Sequence, residues 1–225
     1  MAGNVVAVAM LARRPGCWRH KSHRRTGHVN RWRTVGRVMI FNQLFGDSNL
    51  TRRATTLYGT VVTQARQVPF YRDLGVPDTV DGRFELIVLH AVLALRRLHQ
   101  EGADGDALGQ AMFDVLIDDM DRSLREMGVG DLGVSRRIKA MGEAFYGRAG
   151  AYEAALEDGD GALAEALARN LFGTVDADDC QTGAMAAYVR RQIGQLANQP
   201  GRELLAGNMT FDSPPTMKEA ANGDS

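Results

Sequence analysis

Acidic residues are missing from the first 46 positions of this 225-residue chain, and lysine is scarce throughout: Lys21, Lys139 and Lys218 are the only lysines among 27 basic residues. Only two cysteines occur, Cys17 and Cys180, far apart and without metal-type spacing. That excludes a disulfide framework and suits a reducing compartment. Aromatics are few at 7%, whereas Ala, Leu, Met and Arg are plentiful, a mix that favours helix over sheet. Long hydrophobic runs are absent too. The longest, Leu86 to Leu95, is broken by His90 and is too short to span a bilayer. There is no sustained period-2 alternation and no hairpin turn between alternating strands. No glycine-rich phosphate loop follows a strand, and no Ser or Cys nucleophile stands in a recognisable arrangement.

The charge that is present is unevenly placed. Residues 1–46 hold nine Arg or Lys and no acid, which leaves 18 basic against 27 acidic residues from Asp47 onward, a net −9. An acidic body is not a DNA binder on charge, but the basic arm, with Trp18 and Trp32 as stacking groups, has the composition of an RNA-binding segment. Its order, an apolar start before the positive charges, is the reverse of a secretory signal. A fresh composition starts at Met39. Residues 1–38 therefore read as a disordered or over-extended N-terminal piece, 39–207 as the folded domain and 208–225 as a disordered tail. Ile40, Phe41, Leu44 and Phe45 make a short apolar edge that suits either the body or a membrane interface.

From Leu50 the pattern is helical. Leu57, Tyr58, Val61, Val62 and Ala65 follow a 3.6-residue period up to Pro69, with one more turn over Phe70 to Leu74. Asp81 is placed to cap a helix over about Gly82 to Glu101. That helix is apolar nearly all round, so it belongs at the centre of a core. Arg96, Arg97 and His99 mark an exposed end, and Gly102 a stop. Further helices are expected from Asp104 or Asp106 to Gly128, from Ser135 past Leu156, over Gly161 to Phe172 and over Asp178 to Ala197, with a last turn at Pro200 to Leu205. The fold class is all-α: a single-domain antiparallel bundle of about six to seven helices.

Several polar groups within this pattern invite chemistry. Asp114, Asp118 and Asp121 fall at i, i+4 and i+7, with Asp119 beside them, so they share a helix face and could hold a divalent metal against a diphosphate. A small enzyme or carrier for an isoprenoid or quinone-type ligand is the alternative function they support, although the string DDMD and the lack of a second aspartate-rich helix weigh for a solvated acidic face. His90, in the most apolar helix, reads as a neutral core histidine bonded to a carbonyl or carboxylate. Arg148 interrupts an apolar stripe, and Arg66, Arg83 and Arg125 sit near aromatic or acidic neighbours. At least one of these four is expected to pair with Asp78, Asp81, Asp121 or Asp131, either locking the fold or rimming a binding groove.

Three blocks carry a resemblance: LYGTVVTQARQVPFYRDLGVPDTVDGRFELIVLH (Leu57 to His90), LIDDMDRSLREMGVGDLGVSRRIKAMGEAFYGR (Leu116 to Arg148) and, more weakly, Ala151 to Asn170. Together they resemble the ubiquinol–cytochrome c chaperone family over roughly residues 45 to 175. The resemblance implies a non-enzymatic helical chaperone for newly made cytochrome b that promotes assembly of the bc1 complex and needs no cofactor. It also implies a peripheral place at the inner face of a membrane, cytoplasmic in a bacterium and matrix-side in a mitochondrion. A ribosome or a small co-chaperone would be a further partner. Carried over residue by residue, the partner-binding candidates are Arg66, Phe70, Tyr71, Asp78, Asp81, Arg83, Arg125, Glu126, Asp131, Phe145, Tyr146 and Arg148, with Gly75, Gly82, Gly128 and Gly147 as matching glycines. Phe70, Tyr71, Phe145 and Tyr146 would line a groove for an apolar guest, or else belong to the core.

Overall fold

The computed structural model describes residues 48–215. The basic arm, the apolar edge at Ile40 to Phe45 and residues 216–225 lie outside the described residues.

Helices fill the described region in the order α1 (Ser48–Ala65), α2 (Val68–Arg72), α3 (Val80–His99), α4 (Gly102–Glu126), α5 (Asp131–Asp158), α6 (Asp160–Asn170), α7 (Asp179–Ala197) and α8 (Gly201–Leu205), and no strand is found among those residues. Six are long and two are single-turn pieces, so the all-α bundle read from the sequence is the fold. Helix α3 lies at the centre, packed by α1, α4, α5 and α7, while α6 bridges α5 and α7. Its apolar residues from Phe84 to Leu98 are all buried, as an all-round apolar helix requires.

Local chemistry sets the ends. Thr79, not Asp81, caps α3: its side chain accepts from the Gly82 N–H at 3.2 Å. Asp81 sits one step further in, within the first turn, where its charge still favours the positive helix end. Gly82 is buried against the Pro77 carbonyl, which a Cβ would overlap, so the 77–82 turn closes onto α3 only with glycine there. Gly75 (φ 71°) and Gly128 (φ 79°) take the left-handed backbone that ends α2 and α4. Asp178 and Gln181 form a reciprocal capping box at the start of α7.

Two expectations change. Arg97 is not solvated but 7% exposed. It donates to the carbonyls of Leu196 (2.8 Å) and Gln199 (2.9 Å) and to Glu101 (2.5 Å). It thereby adds a side-chain donor to the carbonyls at and just past the C-terminal end of α7. The tail expected to be slack from residue 208 instead packs through residue 215: Met209, Pro214 and Pro215 are buried and Phe211 lies against the core.

Candidate functional site

The residues singled out from the sequence fall into four groups in space. The first is the corner between α1 and α3. The Tyr71 hydroxyl donates to the Ala65 carbonyl at 2.7 Å, closing the C-terminal end of α1. The Arg83 guanidinium lies over the Tyr71 ring, 5.9 Å from its centroid, and donates to Asp78 at 2.5 Å. Burial raises the Tyr71 phenol to about 12 although Arg83 and Arg66 pull the other way. Asp78 is held below the ordinary carboxylate range by its hydrogen bond from Arg83. Tyr71, Asp78 and Arg83 thus brace one turn, and the exposed Arg66 lies close enough to act on the phenol.

The second group is the α4–α5 turn. Arg125 donates to Asp121 at 2.6 Å and to Asp131 at 2.5 Å, tying the last turn of α4 to the first residue of α5. Glu126 is exposed beside it. The Tyr58 hydroxyl on α1 donates to Asp119 on α4 at 2.8 Å, and the charge of Arg66 reaches that phenol. The C-terminal ends of α1 and α4 therefore lie at the same end of the bundle, and these two groups share it.

Apolar residues are exposed at that end. Among the described residues the large hydrophobic side chains left in solvent are Val68 (60%), Met127 (41%), Leu132 (92%) and Val175. The first three flank the α1–α2 and α4–α5 turns: Val68 opens α2, Met127 follows α4 and Leu132 is in the first turn of α5. The sequence reading missed them, and a signal existed for one: Leu132 stands two positions before Val134, off the stripe that Val134, Met141 and Phe145 bury. Asp121, Arg122, Arg125, Glu126, Asp131 and Arg136 surround Met127 and Leu132 in the chain, so the apolar tip is bordered by charges of both signs.

The third group is internal. Arg148 on α5 makes a two-pronged pair with Glu85 on α3 and a further bond to the Ala144 carbonyl at 3.2 Å. Glu85 is 2% exposed. Burial raises its carboxyl above the usual value, and Arg148 opposes the shift. Glu85 was not foreseen, though a lone acid within the apolar string FELIVLH is a signal that it must have a partner. Phe145 is buried, 4.9 Å between ring centroids from Phe113, and Tyr146 is half-buried 5.6 Å from the same ring. Phe70 is buried edge-on to His90 and Tyr188. Phe70 and Phe145 are thus core residues and offer no surface in this structure, because each fills space between helices. Asp81 keeps one buried carboxylate oxygen without a hydrogen-bond partner.

The fourth group is the aspartate face of α4. Asp114 accepts from Gln110 at 2.7 Å, Asp119 is held by Tyr58 and Asp121 by Arg125. Burial raises the Asp114 carboxyl, and Asp118 adds to the shift. No three acidic, histidine or cysteine side chains among the described residues converge in a way that could hold a metal. Helical spacing put these carboxylates on one side of α4, but each of the two outer members turns to a different neighbour.

The sequence expectation that an arginine of the set meets one of the named aspartates holds twice, in Arg83–Asp78 and in Arg125 with Asp121 and Asp131. His90 is the neutral core histidine expected: Nδ1–H donates to the Leu86 carbonyl at 2.7 Å and Nε2 accepts from the Tyr188 hydroxyl at 2.8 Å. Burial pushes its imidazole down to about 4.

Known proteins share this bundle. The family profile described as ubiquinol–cytochrome C chaperone matches residues 72–211. The chain is 26% identical over 167 residues to "Ubiquinol-cytochrome-c reductase complex assembly factor 1" of Xenopus laevis, covering 74% of this chain and 84% of that protein. The Mus musculus protein of the same name is 28% identical over 152 residues, and "Protein CBP3, mitochondrial" of Saccharomyces cerevisiae 29% over 153. Those matches span 52% and 45% of the two relatives, about half their length. The crystal structure of the Cbp3 homolog from Brucella abortus superposes with a TM-score of 0.65 at 38% identity, covering 72% of this chain and 90% of that one. Profile, relatives and fold coincide on the same bundle, and the chain belongs to the ubiquinol–cytochrome c chaperone family.

Proposed function

We propose that this protein is a non-catalytic assembly chaperone of the ubiquinol–cytochrome c reductase (bc1) complex and that its guest is newly made cytochrome b. The observation that carries the reading is the family match from residue 72 to 211, which runs from the end of α2 through α8. The relatives are named as assembly factors of that complex.

The end of the bundle formed by the α1–α2 and α4–α5 turns suits such a guest. Leu132, Met127 and Val68 present apolar surface without a cover, and methionine adapts to varied apolar shapes. The net −9 of residues 47–225 complements the basic loops that gather on the inner side of a membrane protein. No helix among the described residues is long and apolar enough to cross a membrane. The protein meets its guest at the inner face of the bilayer, cytoplasmic in a bacterium or matrix-side in a mitochondrion, and works by shape and charge without making or breaking a bond.

Deleting the gene in its native host is expected to remove the assembled bc1 complex while other respiratory complexes persist. Affinity capture of the protein from native membranes is expected to bring down cytochrome b. Normal bc1 levels in the deletion strain, or capture that never contains cytochrome b, would sink the reading.

A further inference from the structure

After α8 the chain turns back along α7 instead of leaving the bundle, and Gly207, at φ 93°, allows the turn. Residues 208–215 carry no helix. They are held mainly by their backbone, with two side-chain contacts besides: Gln195 donates to the Thr210 hydroxyl at 3.4 Å, and Arg191 lies 3.9 Å from the Asp212 carboxylate. Gln199 Oε1 accepts from the Thr210 N–H at 3.1 Å, and Gln199 Nε2 donates to the Thr210 carbonyl at 2.7 Å. Gln192 repeats the pattern with Asp212, accepting from its N–H at 3.0 Å and donating to its carbonyl at 3.3 Å. Gln64, from α1, donates to the same carbonyl at 2.7 Å, and Arg191 donates to the Ser213 carbonyl at 2.9 Å.

This is how a strand edge reads a peptide. In an extended chain the N–H and C=O of residues i and i+2 point to one side. Here two glutamines, Gln192 on α7 and Gln199 in the turn just past its end, take the place of the neighbouring strand. The side chains that alternate with the paired positions point into the body: Met209, before the first pair, is buried, and the Phe211 ring, between the two, stands edge-on to His90 at 5.3 Å. Gln192 and Gln64 are themselves buried, so their amides need a partner at all times. A grip on main-chain atoms sets few conditions on sequence, and one half-buried ring adds a preference for an apolar side chain.

We propose that α7, with Gln64 of α1, forms a binding groove for an extended polypeptide segment with an apolar side chain between two backbone-paired residues. Residues 208–215 are its resident occupant, and a segment of a second, unfolded polypeptide displaces them. Most of the grip falls on main-chain atoms, and that points to an unfolded chain as the occupant: such a chain offers free N–H and C=O groups and no fixed surface. The inference does not depend on cytochrome b being the guest.

The test uses the full chain and a fluorescent peptide of residues 208–215. Asp212→Pro removes the N–H that Gln192 accepts, and Phe211→Ala removes the ring; either loosens the resident segment. The peptide is expected to bind each variant at least about tenfold more tightly than the unaltered chain, because an emptied groove no longer loses affinity to its own occupant. Adding Gln192→Ala and Gln199→Ala is expected to abolish the gain. Circular dichroism checks that helix content is kept, and Phe211→Ala serves if Asp212→Pro does not fold. Loosened variants that fold but bind no peptide overturn the proposal, as does peptide binding that ignores both glutamine substitutions. Amide protection at residues 210 and 212 that survives loss of both glutamines overturns it as well.

Discussion

Arg148 reaches from α5 to α3 and donates from Nε and Nη2 to the two carboxylate oxygens of Glu85. The pair is nearly sealed, with Glu85 2% exposed. Removing one partner of a buried pair leaves the other charge unmatched, which costs about 3–5 kcal/mol, whereas replacing both by apolar groups is far milder. Arg148→Met should therefore lose about that much in urea unfolding at pH 7, and Arg148→Met with Glu85→Leu should recover most of it. The sign with pH follows from Glu85, whose carboxyl burial already holds above its usual value against the pull of Arg148. Without Arg148 it rises further, so the folded state binds its proton more tightly than the unfolded state. The deficit of Arg148→Met is full at neutral pH and shrinks as pH falls through that raised value. A deficit that stays constant down to pH 4 would show that Glu85 is not the unmatched group.

The His90–Tyr188–Gln64 chain makes the opposite prediction at acid pH. His90 accepts at Nε2 from Tyr188, whose oxygen accepts from Gln64 at 2.9 Å, so the three bonds have one consistent direction only with a neutral ring. Its value of about 4 in the fold, against an ordinary 6.5, means that the folded state binds fewer protons. This contribution is fully present above pH 6.5 and is lost as pH falls toward 4, about 3 kcal/mol across the window at 1.36 kcal/mol per pH unit. His90→Gln is expected to be less stable than the unaltered chain at pH 7, with the gap closing between pH 6.5 and 4 in chemical denaturation. Parallel pH curves for the two proteins would place the acid sensitivity elsewhere.

The bundle was legible because its signals are local. The 3.6-residue stripes of α1 and α3 name residues that are all buried, and the proline and glycine stops fall within a few positions of the observed ends. What the sequence hid is long-range. Arg97 looked like one more solvated residue at a helix end, and only the return of α7 buries it under the Leu196 and Gln199 carbonyls. Phe70 and Phe145 carry the same aromatic signal whether they line a groove or fill a core, and packing alone decides for the core. Residues 208–215, rich in polar residues and proline, have the composition of a loose tail. The glutamines that hold them lie 20 residues earlier in α7, 11 residues earlier in the turn after it and 148 earlier in α1.

Gly82 and Gly128 both stand in the family-like strings, but for different reasons, and substitutions can separate them. Gly82 has an ordinary helical backbone and no room, since a Cβ would overlap the Pro77 carbonyl oxygen. Gly128 has open space and a left-handed backbone. Asparagine tolerates the left-handed region and carries a Cβ. Gly128→Asn is thus expected to shift thermal unfolding little, by roughly a few tenths of a kcal/mol. Gly82→Ala should cost about 1–3 kcal/mol from the overlap, even though alanine outranks glycine by about 1 kcal/mol in a helix interior. An equal or larger loss at Gly128 would reverse the assignment of roles.

If the proposed function holds, substitutions at Leu132 separate folding from guest binding. It is 92% exposed at the start of α5, so removing its apolar side chain takes little from the core, and exposed positions of this kind usually change stability by less than about 0.5 kcal/mol. Leu132→Asp, alone and with Met127→Asp, is expected to leave the melting temperature nearly unchanged while sharply reducing cytochrome b captured from native membranes. A carboxylate in place of the apolar side chain must be desolvated when the guest docks, which weakens binding without touching the fold. Arg125→Ala serves as the comparison: it loosens the tie between Asp121 and Asp131 but removes no apolar surface, and solvent screens an exposed pair of this kind so that it adds little to stability. Full capture by the Leu132 and Met127 variants would move the guest-binding face away from the α4–α5 turn.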